Sequence, residues 1–533
     1  MLRRAPLPAV LALSLGAIAC RGRPGPPPER FVPGAVRAVL VVPETGRAAR
    51  ELAALHATLA GFPGAADLAG ARTALAAQLG FDPLDPAGLA DAGIDPARGA
   101  ALAWLDRSGA PSGTAALLVL PVGDGPKLER LLARLARERL GAEVRAAEHH
   151  GGGDAIVFRR AAGQPAALAY LVTGRNALVA SGPASPALVA EAAALPEAGA
   201  LSAAAGWIAA RTALGDRAAL AFLPAGSPLL AGRWQVRDGL GLGVSAGAGR
   251  LGAAVAVLLG PREPSFRALA AGGAAARVLA RLDPRAPLAL RWDGDFAALG
   301  AKLVPMLPAD DRRRLEARGL DPLEPFGLLA PGAAAVLSLA PDLELASLTP
   351  EAVRADPLRL VRVEAVAEVK DPERALALSR KLAPPPRRGR GAPAPADGTF
   401  RIATPRGEIA WRLDGTRLAL AGGPAGSLDT LLARLGGEGP GWTASAPGPA
   451  GAGALAGGLG SAVLDPQRLV ASVRALPDEA FGTGPSGFVV RSVVDRFAEP
   501  ASRLASVSLR AELAPGALVL ALEAEAQAGE GAR

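Results

Sequence analysis

Ser245 stands in the frame Gly243-Val244-Ser245-Ala246-Gly247, and His150 opens the run His150-Gly151-Gly152-Gly153. A serine between glycines on a sharp turn can attack an acyl carbonyl, and a glycine-rich loop can turn backbone N–H groups toward the resulting oxyanion. Such a serine needs a base to take its proton. The chain has three histidines, His56, His149 and His150, and all precede Ser245. His149 and His150, with Glu148 beside them, also suggest a metal. A metal site needs three or four converging ligands, however, and adjacent residues in an extended loop point apart. A surface loop without metal is expected there. Asp82, Asp85, Asp321 and Glu324 could act as general acids. Asp82-Pro83 and Asp321-Pro322 read more simply as turns in which the aspartate side chain caps the backbone that follows. None of the four lysines (Lys127, Lys302, Lys370, Lys381) follows the glycine pair of a phosphate-binding loop. Cys20 is the only cysteine, so no disulfide within the chain and no thiolate metal cluster can form. No cofactor is expected.

The elements that must position these residues follow from apolar periodicity. Strands are expected at 36–42, 99–105, 115–122, 154–159, 166–172, 176–181, 218–223, 241–247 and 251–259. Helices are expected through Leu52, Leu55 and Leu59, over 69–79 ending at Gly80, and over 126–140 and 184–195. Ser245 thus falls in a strand–turn–strand segment, not on a strand-to-helix elbow. Adjacent runs of strands, interrupted by helices, point to an α+β fold with a mainly antiparallel sheet and helices packed on one face.

The same signals recur. Gly80-Phe-Asp82-Pro83-Leu84-Asp85-Pro86 reappears as Gly319-Leu-Asp321-Pro322-Leu323-Glu324-Pro325, and Gly174 to Pro183 reappears as Gly415 to Pro424. Offsets that stay near 240 across some hundred residues indicate two tandem homologous copies. The expected organisation is a leader over 1–19, Cys20 and a Pro-rich tether over 20–30, copy 1 over 31–275 and copy 2 over 276–527. Copy 2 departs from copy 1 in two inserts, at 384–398 and near 477–497.

About 510 residues follow the leader, enough for a large core. The net charge of +8 is small for 533 residues, and 50 acidic residues are interspersed with 58 basic ones. Nucleic-acid binders concentrate basic charge and interleave aromatics, so no nucleic-acid partner is expected. The densest basic run, Arg387-Arg388-Gly389-Arg390, sits in a Pro/Ala/Gly loop and reads as solvated. Six tryptophans (104, 207, 234, 292, 411, 442) are spread along the chain, and most are expected at core or half-core positions rather than on a stacking platform.

The N-terminus carries the clearest resemblance. Met1-Leu-Arg-Arg precedes an apolar stretch that ends in Ala17-Ile18-Ala19-Cys20. Small residues at Ala17 and Ala19 with a cysteine directly behind them resemble the lipobox of bacterial lipoproteins. The resemblance implies signal cleavage before Cys20 and a diacylglycerol on its thiol. No aspartate follows Cys20, which in enterobacterial members favours the periplasmic face of the outer membrane. The stretch from Arg21 to Arg30 reads as a polyproline-II-like spacer of about 30 Å, at roughly 3 Å per residue. His150-Gly151-Gly152-Gly153 and the Ser245 frame resemble the oxyanion loop and nucleophile elbow of α/β-hydrolases. In that family the histidine follows the serine, and here none does. The repeated Asp-Pro turn and the Gly182-Pro183 helix start resemble large exported bacterial proteins of unknown function that carry two such copies. That resemblance implies an envelope location and supplies no activity.

The expected function is that of a non-enzymatic, membrane-anchored envelope lipoprotein acting as a binding or assembly component. A carrier of an apolar ligand such as a lipid is the alternative, and a degenerate esterase a distant third. Its partners would be the membrane, through the lipid, and a protein or apolar ligand. Cys20→Ser is expected to move the protein from the membrane pellet to the soluble fraction with its circular dichroism unchanged. Retention in the pellet, or loss of structure, would overturn the anchor.

Overall fold

The structure is a computed structural model. It describes residues 25–527 except for 60–61, 63–64, 108–113, 151–152, 231–237, 248, 260–274, 318, 383–397, 438–440, 456 and 483. Ala17, Ala19, Cys20, the basic run at 387–390 and Trp234 lie outside the described residues. The chain divides into two compact units, Met1–Arg47 with Pro86–Ala204, and Ala48–Asp85 with Ala205–Arg533.

Unit 1 is built on seven described strands: β1 (Ala38–Val42), β2 (Ala100–Asp106), β3 (Thr114–Pro121), β4 (Val144–His150), β5 (Gly153–Arg159), β6 (Ala166–Thr173) and β7 (Asn176–Ser181). They pair antiparallel in the order β1-β2-β3-β7-β6-β5-β4. The strand β4, expected as loop, is polar and among the described residues pairs only with β5; its own side-chain pattern carries no apolar alternation. The helix Gly125–Leu140 shows why local sequence suffices elsewhere. Asp124 accepts a hydrogen bond from the Lys127 amide at 3.0 Å, and Pro126 occupies the first turn. Gly141, at φ 63°, closes the C-terminus: its amide donates to the Arg137 carbonyl and that of Ala142 to the Ala136 carbonyl.

Unit 2 contributes twelve described strands: β8 (Ala219–Pro224), β9 (Gly239–Gly247), β10 (Arg250–Leu258), β11 (Leu288–Trp292), β12 (Ala333–Leu339), β13 (Val361–Glu368), β14 (Thr399–Thr404), β15 (Gly407–Asp414), β16 (Arg417–Gly423), β17 (Gly460–Leu464), β18 (Leu504–Ala514) and β19 (Ala517–Ala526). Their order is β8-β9-β10-β19-β18-β17-β11-β12-β13-β16-β15-β14, antiparallel throughout. The α+β class and the antiparallel sheet stand as expected. The sheet has helices on both faces, not one. On the first face Ala289, Ala334, Val336, Ala419 and Ala421 pack with Leu428 and Leu431 of the helix Ser427–Gly436 and with Trp442. On the second face Trp411, paired with Leu420, donates its indole N–H to Ser379 of the helix Pro372–Leu382 at 3.0 Å.

Several details recur about 240 residues apart. Phe158 stacks on Tyr170, and Phe400 on Trp411. The Val122 amide bonds the Arg175 carbonyl, and the Val369 amide that of Thr416. Asp124 caps Lys127, and Asp371 caps Arg374.

Leu431 is fully buried in the core cluster, so Leu431→Ala should cost about 3 kcal/mol in denaturant unfolding, whereas Val493→Ala on an exposed helix face should stay within about 0.5 kcal/mol. Hydrogen bonds from Arg159, Arg107 and Arg406 hold Glu148, Glu191 and Glu344 below the ordinary carboxylate value of 4.5. Depressed folded values stabilise above the unfolded pKa, and that contribution is lost as pH falls through the folded values. The melting temperature should therefore drop on acidification below 4.5, and Glu344→Gln should shrink the drop.

Candidate functional site: an apolar groove on the sheet

The residues singled out for chemistry do not converge. Ser245 lies in β9, where its hydroxyl is 3.1 Å from a nitrogen of Arg217. Around it is a polar depression of about 280 Å³ lined by Glu51, Arg217 and Arg250. The Glu51 carboxylate accepts the Ala246 amide there at 2.7 Å. No histidine lines this depression. His149 and His150 end β4, a strand where a loop was expected, and successive strand residues point to opposite faces. His149 sits 2.9 Å from Asp154, and His150 lies 3.5 Å from Glu148, which is held by Arg159. Gly151 and Gly152 lie outside the described residues. Among the described residues no group of three His, Cys, Asp or Glu could hold a metal.

The Asp-Pro pairs form turns. Asp82 accepts the Leu84 amide and Asp321 the Leu323 amide, each at 2.9 Å. Asp82 is also held at 2.5 Å by Arg72, which lowers its pKa. Glu324 pairs with Arg374 at 3.2 Å. These carboxylates are engaged within the fold. Trp207 and Trp442 are fully buried, and Trp442 donates to the Ala286 carbonyl at 2.8 Å. Trp104, 38% exposed, is not a core residue.

Two other sites were not visible in the sequence. One is a polar cleft of about 400 Å³ lined by Asp283, Arg362, Glu364, Ser427, Thr430 and Arg434, among others. Burial pushes the Glu364 carboxyl up, even with Arg434 against it. The other is an apolar groove of about 300 Å³ on the second face of the sheet. Its floor is a rank of alanines, Ala333 and Ala335 on β12 and Ala365 and Ala367 on β13. Leu290, Trp292, Phe296, Leu329, Leu418 and Leu420 wall it. The register places Trp292 beside Ala333, Leu290 beside Ala335, and Leu420 beside Ala365. Large side chains thus flank small ones on the same face. Trp292 meets Phe296 edge to face at 6.4 Å, and its buried indole N–H has no acceptor among the described residues. The groove thus joins apolar walls to one buried donor, the Trp292 indole N–H.

Farther along the same face of unit 2, Val244, Leu509, Leu520 and Leu522 are 36–47% exposed. The pairs Leu522–Leu509, Leu522–Ala253 and Ala253–Val244 place them on one side of β9, β10, β19 and β18. No helix of the described residues is long and apolar enough to cross a membrane.

No family model and no curated protein matches the chain. A solved structure, crystal form IV of a protein designated TP0453, aligns at 10% identity over 45% of this chain and 83% of that one, with a TM-score of 0.24. A likeness that loose carries nothing about fold or function.

A volume of 300 Å³ lies at the lower end of the roughly 300–1,000 Å³ of ligand clefts. Ala365→Trp should fill the groove and abolish the fluorescence gain of an apolar dye such as N-phenylnaphthylamine, with the melting temperature held. Undiminished dye binding by the folded variant would remove the groove as a site.

Proposed function

We propose that this chain is a lipid-anchored protein of the bacterial envelope that works by binding rather than catalysis, with the second face of its sheet as the binding surface. The observation behind this reading is the apolar character of that face in unit 2. An antiparallel sheet that turns one face to water normally marks it with polar side chains. Here Val244, Leu509, Leu520 and Leu522 are left partly in water. Large exposed apolar patches mark interaction sites. The anchor is Cys20, and the location is the periplasmic face of the outer membrane.

A second reading, carriage of a single apolar ligand such as a lipid, is favoured by the alanine-floored groove and its unsatisfied Trp292 donor. Hydrolysis has less support, because Ser245 faces Arg217 with no histidine lining its depression.

The body is further read as a tandem duplication, divided near residue 275. The strand order β2-β3-β7-β6-β5 is matched by β12-β13-β16-β15-β14, and the run β8-β9-β10 by β17-β18-β19. The terminal strands β10 and β19 pair with each other, which is why strands from both copies fall within unit 2.

Photo-crosslinking in the native host tests the binding role. A photoreactive residue at Leu509 or Leu522 should give a discrete protein adduct, and one at exposed Ala162 should not. Native mass spectrometry of the same preparation should show a lipid-sized adduct if the carrier reading holds. Bare protein in both experiments would defeat both.

A further inference from the structure

We propose that unit 1 docks on anionic lipid headgroups with the end of its sheet that binds the N-terminal segment, presenting Arg98 and Arg175 to the membrane. The proposal rests on the reading of Cys20 as the lipid attachment site.

The stretch up to Arg30, expected as a free spacer, is docked in its described part. Pro28–Phe31 forms a single 3-10 turn in which Pro28, Glu29 and Phe31 are buried. The Pro26 carbonyl accepts from Asn176 at 3.2 Å and from Arg98 at 3.3 Å. Arg30 donates to the Leu195 carbonyl at 2.6 Å. Gly25 passes so close that a Cβ there would lie 2.7 Å from Arg98 and 3.5 Å from the Arg175 Cβ. Gly25, the first described residue, therefore lies against both arginines.

Only four residues separate Gly25 from Cys20. Fully extended, at about 3.6 Å per residue, the link reaches about 18 Å, not the 30 Å of a free spacer. An acyl anchor at Cys20 would thus hold this end of unit 1 against the bilayer surface.

The charge suits that surface. Arg175 sits in the turn between β6 and β7, is exposed, and makes no ion pair among the described residues. Arg98 spends its hydrogen bonds on the Arg175 and Pro26 carbonyls. The nearby Asp95 side chain binds the Ala97 amide. Arg175 repels the Arg98 guanidinium, an effect that Asp95 offsets in part, and anionic headgroups relieve that repulsion. Attraction of this kind extends about one Debye length, roughly 10 Å at 0.1 M salt, and so needs the short link.

The test uses the acylated full-length protein on phosphatidylcholine vesicles with and without phosphatidylglycerol. A fluorophore is placed at Ala97→Cys or, at the other end of β6, at Ala162→Cys; both positions are exposed. Headgroup-attached spin label should quench the Ala97 probe several-fold more than the Ala162 probe. The excess should require phosphatidylglycerol, fall in high salt, shrink in Arg175→Gln, and vanish when a long Gly/Ser insert follows Cys20. Equal quenching at both positions in protein that pellets with vesicles would overturn the docking and leave the anchor intact. A mass spectrum showing Cys20 without acyl groups would overturn the anchor, and the docking with it.

Discussion

Successive side chains of a β-strand point to opposite faces, so a strand that is apolar at both parities has two surfaces to cover. In the middle of unit 2, Ala289, Ala334 and Val336 face the core, while Leu290, Trp292, Ala333 and Ala335 face the other way. The first face is closed by the helix Ser427–Gly436 and by Trp442. The second is closed only in part, with the helix Pro372–Leu382 reaching Trp411 and Leu418. Helices on both faces are the direct consequence of this double requirement. The groove and the exposed apolar residues are where it goes unmet among the described residues. Removing that remaining area from water would contribute roughly 25 cal/mol per Å², whatever apolar body supplied the contact.

Much of the local structure was legible in the sequence, and for identifiable reasons. An apolar run bounded by Gly174 and Gly182, both of which adopt positive φ, predicts β7 over its actual span. The Asp-Pro turns were legible because the aspartate caps a backbone amide two residues on, a purely local bond. By contrast, β4 reads Val-Arg-Ala-Ala-Glu-His-His, and its strand geometry comes from pairing with β5. The tether was half legible. Pro27 has extended φ and ψ, as a proline-rich run implies. Its docking depends on Arg98, Asn176 and Leu195, tens to more than a hundred residues away, which local pattern cannot show.

The surroundings of Ser245 show the same dependence on distant residues. Gly243 opens the frame of the nucleophile elbow, and Gly241 lies two residues before it on the same strand. A Cβ on Gly241 would lie 3.0 Å from both Ala210 and Leu214 of the helix Ala205–Leu214. One on Gly243 would lie 2.9 Å from the Arg217 side chain. These glycines make room for a helix and an arginine against a regular strand. The same residue type that permits a sharp turn also permits close packing, and only the neighbours distinguish the two uses.

Alanine poses the same problem in reverse. A chain this rich in alanine gives each one little weight when read alone. Register changes that. Ala335 and Ala365 are paired neighbours on β12 and β13, with Ala333 and Ala367 two residues along on the same face. Leu290 and Trp292 stand beside them on one side, and Leu418 and Leu420 on the other. Four small side chains between two ranks of large ones leave a trough, because a sheet cannot close locally around missing methylenes as a helix pair can. The groove is therefore a property of where the small residues sit relative to one another, and composition acquires a physical consequence only through the pairing of strands.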